Sequence, residues 1–294
     1  MQETTSLYEI KGLRCSYDKR YEEGQSRVVL EIDHLAIPRG KRVFIVGESG
    51  IGKSTILETL GMMNNTIVPD GQSSLIFTDK DGKVTDMKRL WDTGGRTLAD
   101  FRLRNYSFIF QNTNLMKNFT VYENIAFTRM LQGFSQFSCF QRTKKVLVDL
   151  GLDHVDERRM AQELSGGQQQ RLAFARAILP DFTVLFGDEP TGNLDAENAR
   201  RVMEILTDKM REHEGATAII VSHDMHLATS FADIVIKIRK QLRPVKAEDG
   251  EEVSYGYVDD SCVYVADGQG RWTNGQDVYN TRDFELFLHK KMKE

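Results

Sequence analysis

Gly47-Glu48-Ser49-Gly50-Ile51-Gly52-Lys53-Ser54-Thr55 constrains this chain more than any other stretch. It matches G-x-x-x-x-G-K-[ST], and its flanks complete the pattern. Before it, Arg42-Val43-Phe44-Ile45-Val46 is an apolar run suited to a central parallel strand buried on both faces. After it, Ser54 to Met62 has helical composition. Strand, glycine-rich turn and helix in direct succession belong to an α/β fold. Glycines let the backbone curl so that successive N–H groups point at phosphate oxygens. The following helix adds its positive end. Lys53 then reaches the β- and γ-phosphates, and the Ser54 hydroxyl ligates Mg²⁺.

Such a loop needs a carboxylate to help hold the metal that bridges the phosphates. Val184-Leu185-Phe186-Gly187-Asp188-Glu189 is a buried strand ending in two. Asp188 takes the Mg²⁺ role. Glu189, one residue on, can face the other way, toward an attacking water, as general base. A second anion site is readable at Leu164-Ser165-Gly166-Gly167-Gln168-Gln169-Gln170-Arg171. Ser165 is a good helix N-cap, and the glycines expose backbone N–H groups at a helix N-terminus.

The rest of the chain sets limits. Its 294 residues suffice for one large α/β domain or two small ones. A formal net charge of −4 gives no electrostatic reason to expect nucleic acid as a partner. Cys15, Cys139 and Cys262 are far apart and in no ligand spacing, which argues for unpaired thiols in a reducing cytosol. The N-terminus MQETTSLYEI lacks a secretory pattern, and no apolar run approaches the roughly 20 residues needed to span a bilayer. Any membrane-spanning part is therefore expected on another chain.

Residues 7–13 and 27–37 read as strands, with Asp18 to Arg27 a solvent-facing turn between them. Turn signals at Asp70-Gly71, Asp81-Gly82 and Gly94-Gly95 mark an antiparallel insertion over about 70–100, with Ser74–Thr78 as a strand. Asp79-Lys80-Asp81-Gly82 has Lys88 where a calcium loop needs glutamate, so it reads as a hairpin tip. Residues 98–105 and 121–163 read as mainly helical, with Gly151 a stop. Leu164–Leu179 is helical after its glycines, and so is Ala196–Glu212. Thr183–Phe186 and Ala218–Val221 are further buried strands. After about 240 the texture changes: Glu248 to Glu252 is acidic, Val263–Arg271 fits a hairpin turning at Asp267-Gly268, and Asp283–Lys291 fits a closing helix.

Over about residues 6–240 the sequence closely resembles the ABC ATPase family. The resemblance rests on motifs in the family's order: the phosphate loop, Gln111 after the strand Ser107–Phe110, the signature at 164–168, Asp188-Glu189, Asp195, and His223 in Val221-Ser222-His223-Asp224. It implies a P-loop (RecA-like) nucleotide-binding domain with an antiparallel β subdomain, a helical subdomain over about 112–165, and an extension at 241–294. It implies two copies paired head to tail, each ATP lying between one phosphate loop and the partner's signature. Ser165, Gly166 and Gly167 would then hold the γ-phosphate bound to the partner. His223 would contact the γ-phosphate in its own chain, Gln111 would complete the Mg²⁺ and water shell, and Asp195 would cross the dimer interface. Tyr17 sits where the family places an aromatic against adenine, with Tyr8 and Tyr21 nearby.

Thr191-Gly192-Asn193-Leu194-Asp195 is similar to the lipoprotein-release, macrolide-export and cell-division branch, and so is Val121-Tyr122-Glu123-Asn124-Ile125. That branch implies a cytoplasmic ATPase subunit on the inner face of the membrane, driving a permease-type subunit by transmitted motion. Leu115, Met116, Phe119 and Val121 fit either a groove for a short helix of that subunit or the packing of the helical subdomain. Two features depart from the branch: Gln111 follows Lys53 by 58 residues, a longer spacing that accommodates the insertion, and the stretch from 241 is extra. The insertion reads as tolerated surface; the extension is open. A rival resemblance is to soluble ABC ATPases acting on nucleic acid or ribosomes. Those carry long coiled coils, zinc modules or two nucleotide domains in one chain, none of which is present. A module that binds ATP without hydrolysing it is opposed by Asp188, Glu189 and His223.

Overall fold

The structure, a computed structural model, describes residues 6–18, 27–192, 194–212, 215–244 and 252–290. Two compact units share the chain, one from residues up to Leu98 and from Ile219 onward, the other from Ala99 to Ala218. The first unit opens with β1 (Ser6–Cys15), β2 (Leu30–Pro38), β3 (Arg42–Val46), α1 (Lys53–Leu60), β4 (Ser74–Thr78), β5 (Val84–Asp86) and the short α2 (Met87–Leu90). Along α3 (Gly95–Asn105) the chain enters the second unit. That unit continues with β6 (Tyr106–Ile109), α4 (Val121–Leu131), α5 (Gln136–Asp149), α6 (Gly166–Ile178), β7 (Val184–Asp188) and α7 (Ala196–Glu212). β8 (Thr217–Val221) returns the chain to the first unit. It is completed by α8 (Met225–Phe231), β9 (Ile234–Lys237), β10 (Arg239–Pro244), β11 (Glu252–Val258), β12 (Val263–Ala266), β13 (Arg271–Thr273), β14 (Val278–Asn280) and α9 (Thr281–Lys290).

In the first unit one sheet runs β10-β11-β2-β1-β4-β5. β1 alternates apolar and polar residues, burying Tyr8, Ile10, Leu13 and Cys15, and pairs antiparallel with β2 and β4. The other sheet runs β14-β13-β12-β9-β3-β8. β3 is buried from Val43 to Val46 and pairs in parallel with β9, as its continuous apolar run requires. Arg42 fastens these two strands. Its backbone N, Nε and Nη2 donate to the Asp233 carboxylate at 2.8, 3.0 and 2.7 Å. Burial opposes ionisation of Asp233, but those hydrogen bonds from Arg42 win and hold its pKa below the ordinary carboxylate value.

The insertion is the expected hairpin, with Asp79 Oδ1 accepting from the amides of Asp81 and Lys83. Lys88 anchors it: its ammonium donates to Asp70 O, Ser73 O and Ser73 Oγ at 3.0, 2.9 and 2.7 Å. Residues 87–93 are helical rather than strand-like, since Asp86 caps α2 by accepting from Lys88 N and Arg89 N. Among the described residues no group of acidic, His and Cys side chains could hold a metal ion.

In the second unit β6 and β7 pair in parallel. α4, α5, α6 and α7 pack on one another, and α6 packs on β6. The helical expectation over 121–163 is interrupted. Gly151, at φ +63°, ends α5 in the left-handed conformation. Residues 150–160 then form turns, with Asp156 Oδ1 accepting from Arg158 N.

The C-terminal stretch is structured. β11 joins the first sheet beside β2, β12 joins the second beside β9, and α9 packs on α8. Trp272 stacks on Phe284 at 4.8 Å and Tyr264 lies 5.0 Å from the same ring. These residues give the extension an aromatic core of its own, and Trp272 and Phe284 are almost wholly buried. The expected hairpin at Asp267-Gly268 and the closing helix are both present. The turn between Asp18 and Arg27, Tyr21, Asn193 and the acidic run beginning at Glu248 fall mostly or wholly outside the described residues. All three cysteines are unpaired and buried.

Candidate functional site

The phosphate loop follows β3 directly and ends in α1. Gly52 is the N-cap of α1 at φ +101°, and no side chain caps the helix. The left-handed conformation suits glycine, and space requires it too: a Cβ on Gly52 would lie 3.3 Å from both Leu30 Cβ and Val29 O. Lys53 is buried to 6% exposure, and its ammonium donates to the Gly47 and Glu48 carbonyls at 2.9 and 2.7 Å. A buried cation beneath a glycine-rich loop is an anchor for a polyanion. Together with the helix end, the donor set fits a phosphate chain.

Tyr17 lies against α1 and is 52% exposed. Its hydroxyl donates to Glu58 Oε2 at 2.9 Å and stands 3.2 Å from Thr55 Oγ1. Tyr8 is fully buried and donates to Leu60 O, so it offers no face to a base. His223 is exposed between β8 and α8, one residue before Asp224, which caps α8 by accepting from Leu227 N.

In the second unit Asp188 ends β7, and Glu189 follows at φ +48°. A non-glycine residue there costs on the order of 1–3 kcal/mol, and such strain collects at functional sites. Gln111 reaches the same carboxylate, its Nε2 donating to Glu189 Oε2 at 3.2 Å. Gln111 and Glu189, assigned separate roles from the sequence, are thus brought together. Asp195 caps the start of α7, accepting from Asn198 N and Nδ2 at 2.8 and 2.7 Å. These bonds hold its pKa below the ordinary value.

The signature turn starts α6. Ser165 Oγ accepts from Gln168 N, and Gln168 Oε1 accepts from Ser165 N, a reciprocal capping box. Ser165, Gly166 and Gly167 are exposed, and a Cβ on either glycine would meet nothing within 4 Å. The turn borders an open cavity of about 810 Å³ shared with residues Gln111 to Leu115.

Three residues to which motif reading gave no role of their own organise this unit. Gln170, buried on α6, donates to Pro190 O at 3.1 Å, beside Glu189. Arg176, also on α6, donates to Asn114 O and Thr113 O at 2.7 and 2.9 Å, beside Gln111. Asn124, fully buried, bonds Met116 N and the carbonyls of Met116, Phe119 and Thr120. One helix therefore holds both the Gln111 and the Glu189 segments. The positions of Gln170 and Arg176 three and nine residues after Gly167, on the helix opened by the signature, were the only available signal.

Comparison with known proteins bears on the family and the fold. The ABC transporter family model matches residues 30–192. Over 250 residues the chain is 38% identical to the macrolide export ATP-binding/permease protein MacB of Aggregatibacter actinomycetemcomitans, covering 85% of this chain and 34% of that protein. Over 226 residues it is 37% identical to the lipoprotein-releasing system ATP-binding protein LolD of Idiomarina loihiensis, covering 76% and 93%. The chain thus spans about a third of its macrolide-export relative and nearly all of its lipoprotein-release relative. Among solved structures, a dimeric bacterial ABC transporter cassette, MJ0796, superposes with a TM-score of 0.65 at 28% identity, over 78% of this chain and 93% of that one. A post-hydrolysis dimer of the same cassette, bound to ADP and phosphate, gives 0.65 at 27% identity, over the same shares of the two chains.

Proposed function

The chain belongs to the ABC transporter family as an ATP-binding cassette, and on that premise we propose that it hydrolyses ATP as a head-to-tail dimer that drives a membrane subunit. The contrast between its glycines carries the reading. Gly52 is fixed by contacts inside the chain, whereas Gly166 and Gly167 face open space. A turn kept bare of side chains with no internal reason suits the close approach of a phosphate held by another copy.

Each residue then has a role. Residues Gly47 to Thr55 cradle the phosphates, Lys53 supplies charge, and Tyr17 meets the adenine. Ser54, Asp188 and Gln111 offer hydroxyl, carboxylate and amide oxygens, hard donors that fit Mg²⁺. That ion would neutralise charge on the phosphates. Glu189 takes the proton of the attacking water, and Lys53 and His223 stabilise the charge that develops. Ser165, Gly166, Gly167 and Gln168 receive the partner's γ-phosphate, and Asp195 faces the partner. Glu189→Gln tests the assignment: turnover should fall by about 10²–10⁴-fold while an ATP-bound dimer accumulates. Near-normal hydrolysis contradicts it.

Of the two readings of the 115–121 cluster, a groove or packing of the helical subdomain, burial favours packing for Val121. Val121 is only 1% exposed and belongs to the core; Leu115, Met116 and Phe119 are half-buried. Exposed apolar surface lies further along, at a cavity of about 670 Å³ lined by Tyr122, Met130, Phe137 and Phe140, with Phe137 74% exposed. A short apolar helix of a permease-type subunit docks here, and closure of the dimer moves it, placing the cassette on the inner face of the cytoplasmic membrane. No described helix is long and apolar enough to cross a membrane. Phe137→Asp should keep basal ATPase activity and lose co-purification with the membrane subunit; an intact complex contradicts this surface.

A further inference from the structure

The phosphate loop leans on the far end of the chain. β11 runs parallel to β2 with Gly256 opposite Leu30, and Gly256 N donates to Val29 O at 3.0 Å. Val29 and Leu30 are the residues that back Gly52. Gly256 itself lies so close to the loop that a Cβ on it would stand 2.1 Å from Ile51 O and 2.9 Å from Ile238 Cγ2. Ile238, just before β10, also backs Gly47: a Cβ there would meet Ile238 Cβ and O at 3.4 Å. Lys240 on β10 places its ammonium 3.7 Å from the Glu48 carboxylate. Four of the six residues from Gly47 to Gly52 thus touch the hairpin, the residue leading into it, or the strand it pairs with.

Gly256 is not needed for its backbone conformation, because its φ lies outside the left-handed region. It contributes only the absence of a side chain, and the atom facing it is a backbone carbonyl that cannot rotate away. Ile51 C=O and Gly52 N–H belong to one planar peptide unit. Any push on that oxygen therefore turns the Gly52 amide, one of the donors that opens α1 toward a phosphate.

We propose that the C-terminal hairpin β10–β11 is a positioning element for the phosphate loop, with Gly256 as its contact point. This rests on the nucleotide-site reading above. Gly256 sets the height of the Ile51 carbonyl and with it the aim of the loop amides, so a chain carrying this extension binds nucleotide through a loop that is tuned from Ile238, Lys240 and Gly256.

The test uses the full chain with Gly256→Ala, Gly256→Val and, two residues beyond Lys240 on the same strand, Leu242→Ala, where Leu242 is 58% exposed. KM for MgATP and the Kd for a fluorescent ATP analogue should rise on the order of tenfold in Gly256→Ala, and further in Gly256→Val. kcat at saturating ATP should stay within about twofold, and Leu242→Ala should change neither. Unchanged KM and Kd in a folded Gly256→Ala protein overturn the proposal. So does a loss of Tm and of kcat with KM unmoved, which would make Gly256 a packing residue only. Absence of ATP binding by the unaltered chain would instead overturn the nucleotide-site reading and leave the contact without that purpose.

Discussion

Two helix N-termini in this molecule are built from similar residues and solve opposite problems. At α1 the chain leaves the helix end without a side-chain cap, hems Gly52 between Leu30 and Val29, and buries Lys53 beneath the loop. At α6 the Ser165–Gln168 box caps the helix from both sides, while Gly166 and Gly167 stand exposed with room for side chains they lack. The first end is a cradle whose donors are fixed by its own chain and need an anion to complete them. The second is complete in itself, and its bare glycines suit the proposed approach of a phosphate held by another copy. On the proposed dimer, the difference teaches which half of a composite site each end would supply.

Substituting the two glycines should separate these roles. Gly167→Asp places a carboxylate where the partner's γ-phosphate would approach. ATPase activity should fall by at least about 10²-fold, with Tm and nucleotide binding by the monomer unchanged, because the side chain meets open space. A thermal shift of several degrees would break the comparison. Gly52→Ala should act on the fold as well as the cradle and destabilise it by about 1–3 kcal/mol, from the left-handed φ and the 3.3 Å contacts. Denaturant unfolding reads that directly.

The strand carrying the first cradle offers a weaker handle. Asp233→Asn should cost about 2 kcal/mol by weakening the charge-assisted bonds from Arg42. The Asp233 pKa is depressed in the fold. Its stabilisation is therefore full above the ordinary carboxylate value and is lost as pH falls through the lower folded value. Unfolding of the unaltered chain as pH falls through and below the ordinary carboxylate value, compared with the variant, should show that extra loss. The smallest effect is chemical: burial pushes the Cys15 thiol up to about 11 and raises those of Cys139 and Cys262. Thiol labelling at neutral pH should be slow until the protein unfolds.

Much of the first cradle was legible in the sequence because its requirements are local. An apolar strand, a glycine turn and a helix follow one another directly from Arg42 to Met62, and each obeys its own rule. The Ser165 cap was legible for the same reason. What escaped depends on distant partners. Gly256 looks like any glycine in a strand, and the oxygen that demands it belongs to Ile51, 205 positions earlier. Gln170 and Arg176 read as ordinary helix polar residues until the carbonyls of Pro190, Thr113 and Asn114 are seen beside them. Val121 and Phe137 are both apolar residues near helix starts, and only packing decides that one is core and the other surface.

Mixing two crippled chains tests the composite site most directly. A Lys53→Ala chain and a Gly167→Asp chain should each be inactive alone. Mixed, they form dimers in which one site pairs an intact phosphate loop with an intact signature, and ATPase activity should return. A mixture as inactive as its parts, with mixed dimers shown to form, would mean that the two helix ends do not meet across copies.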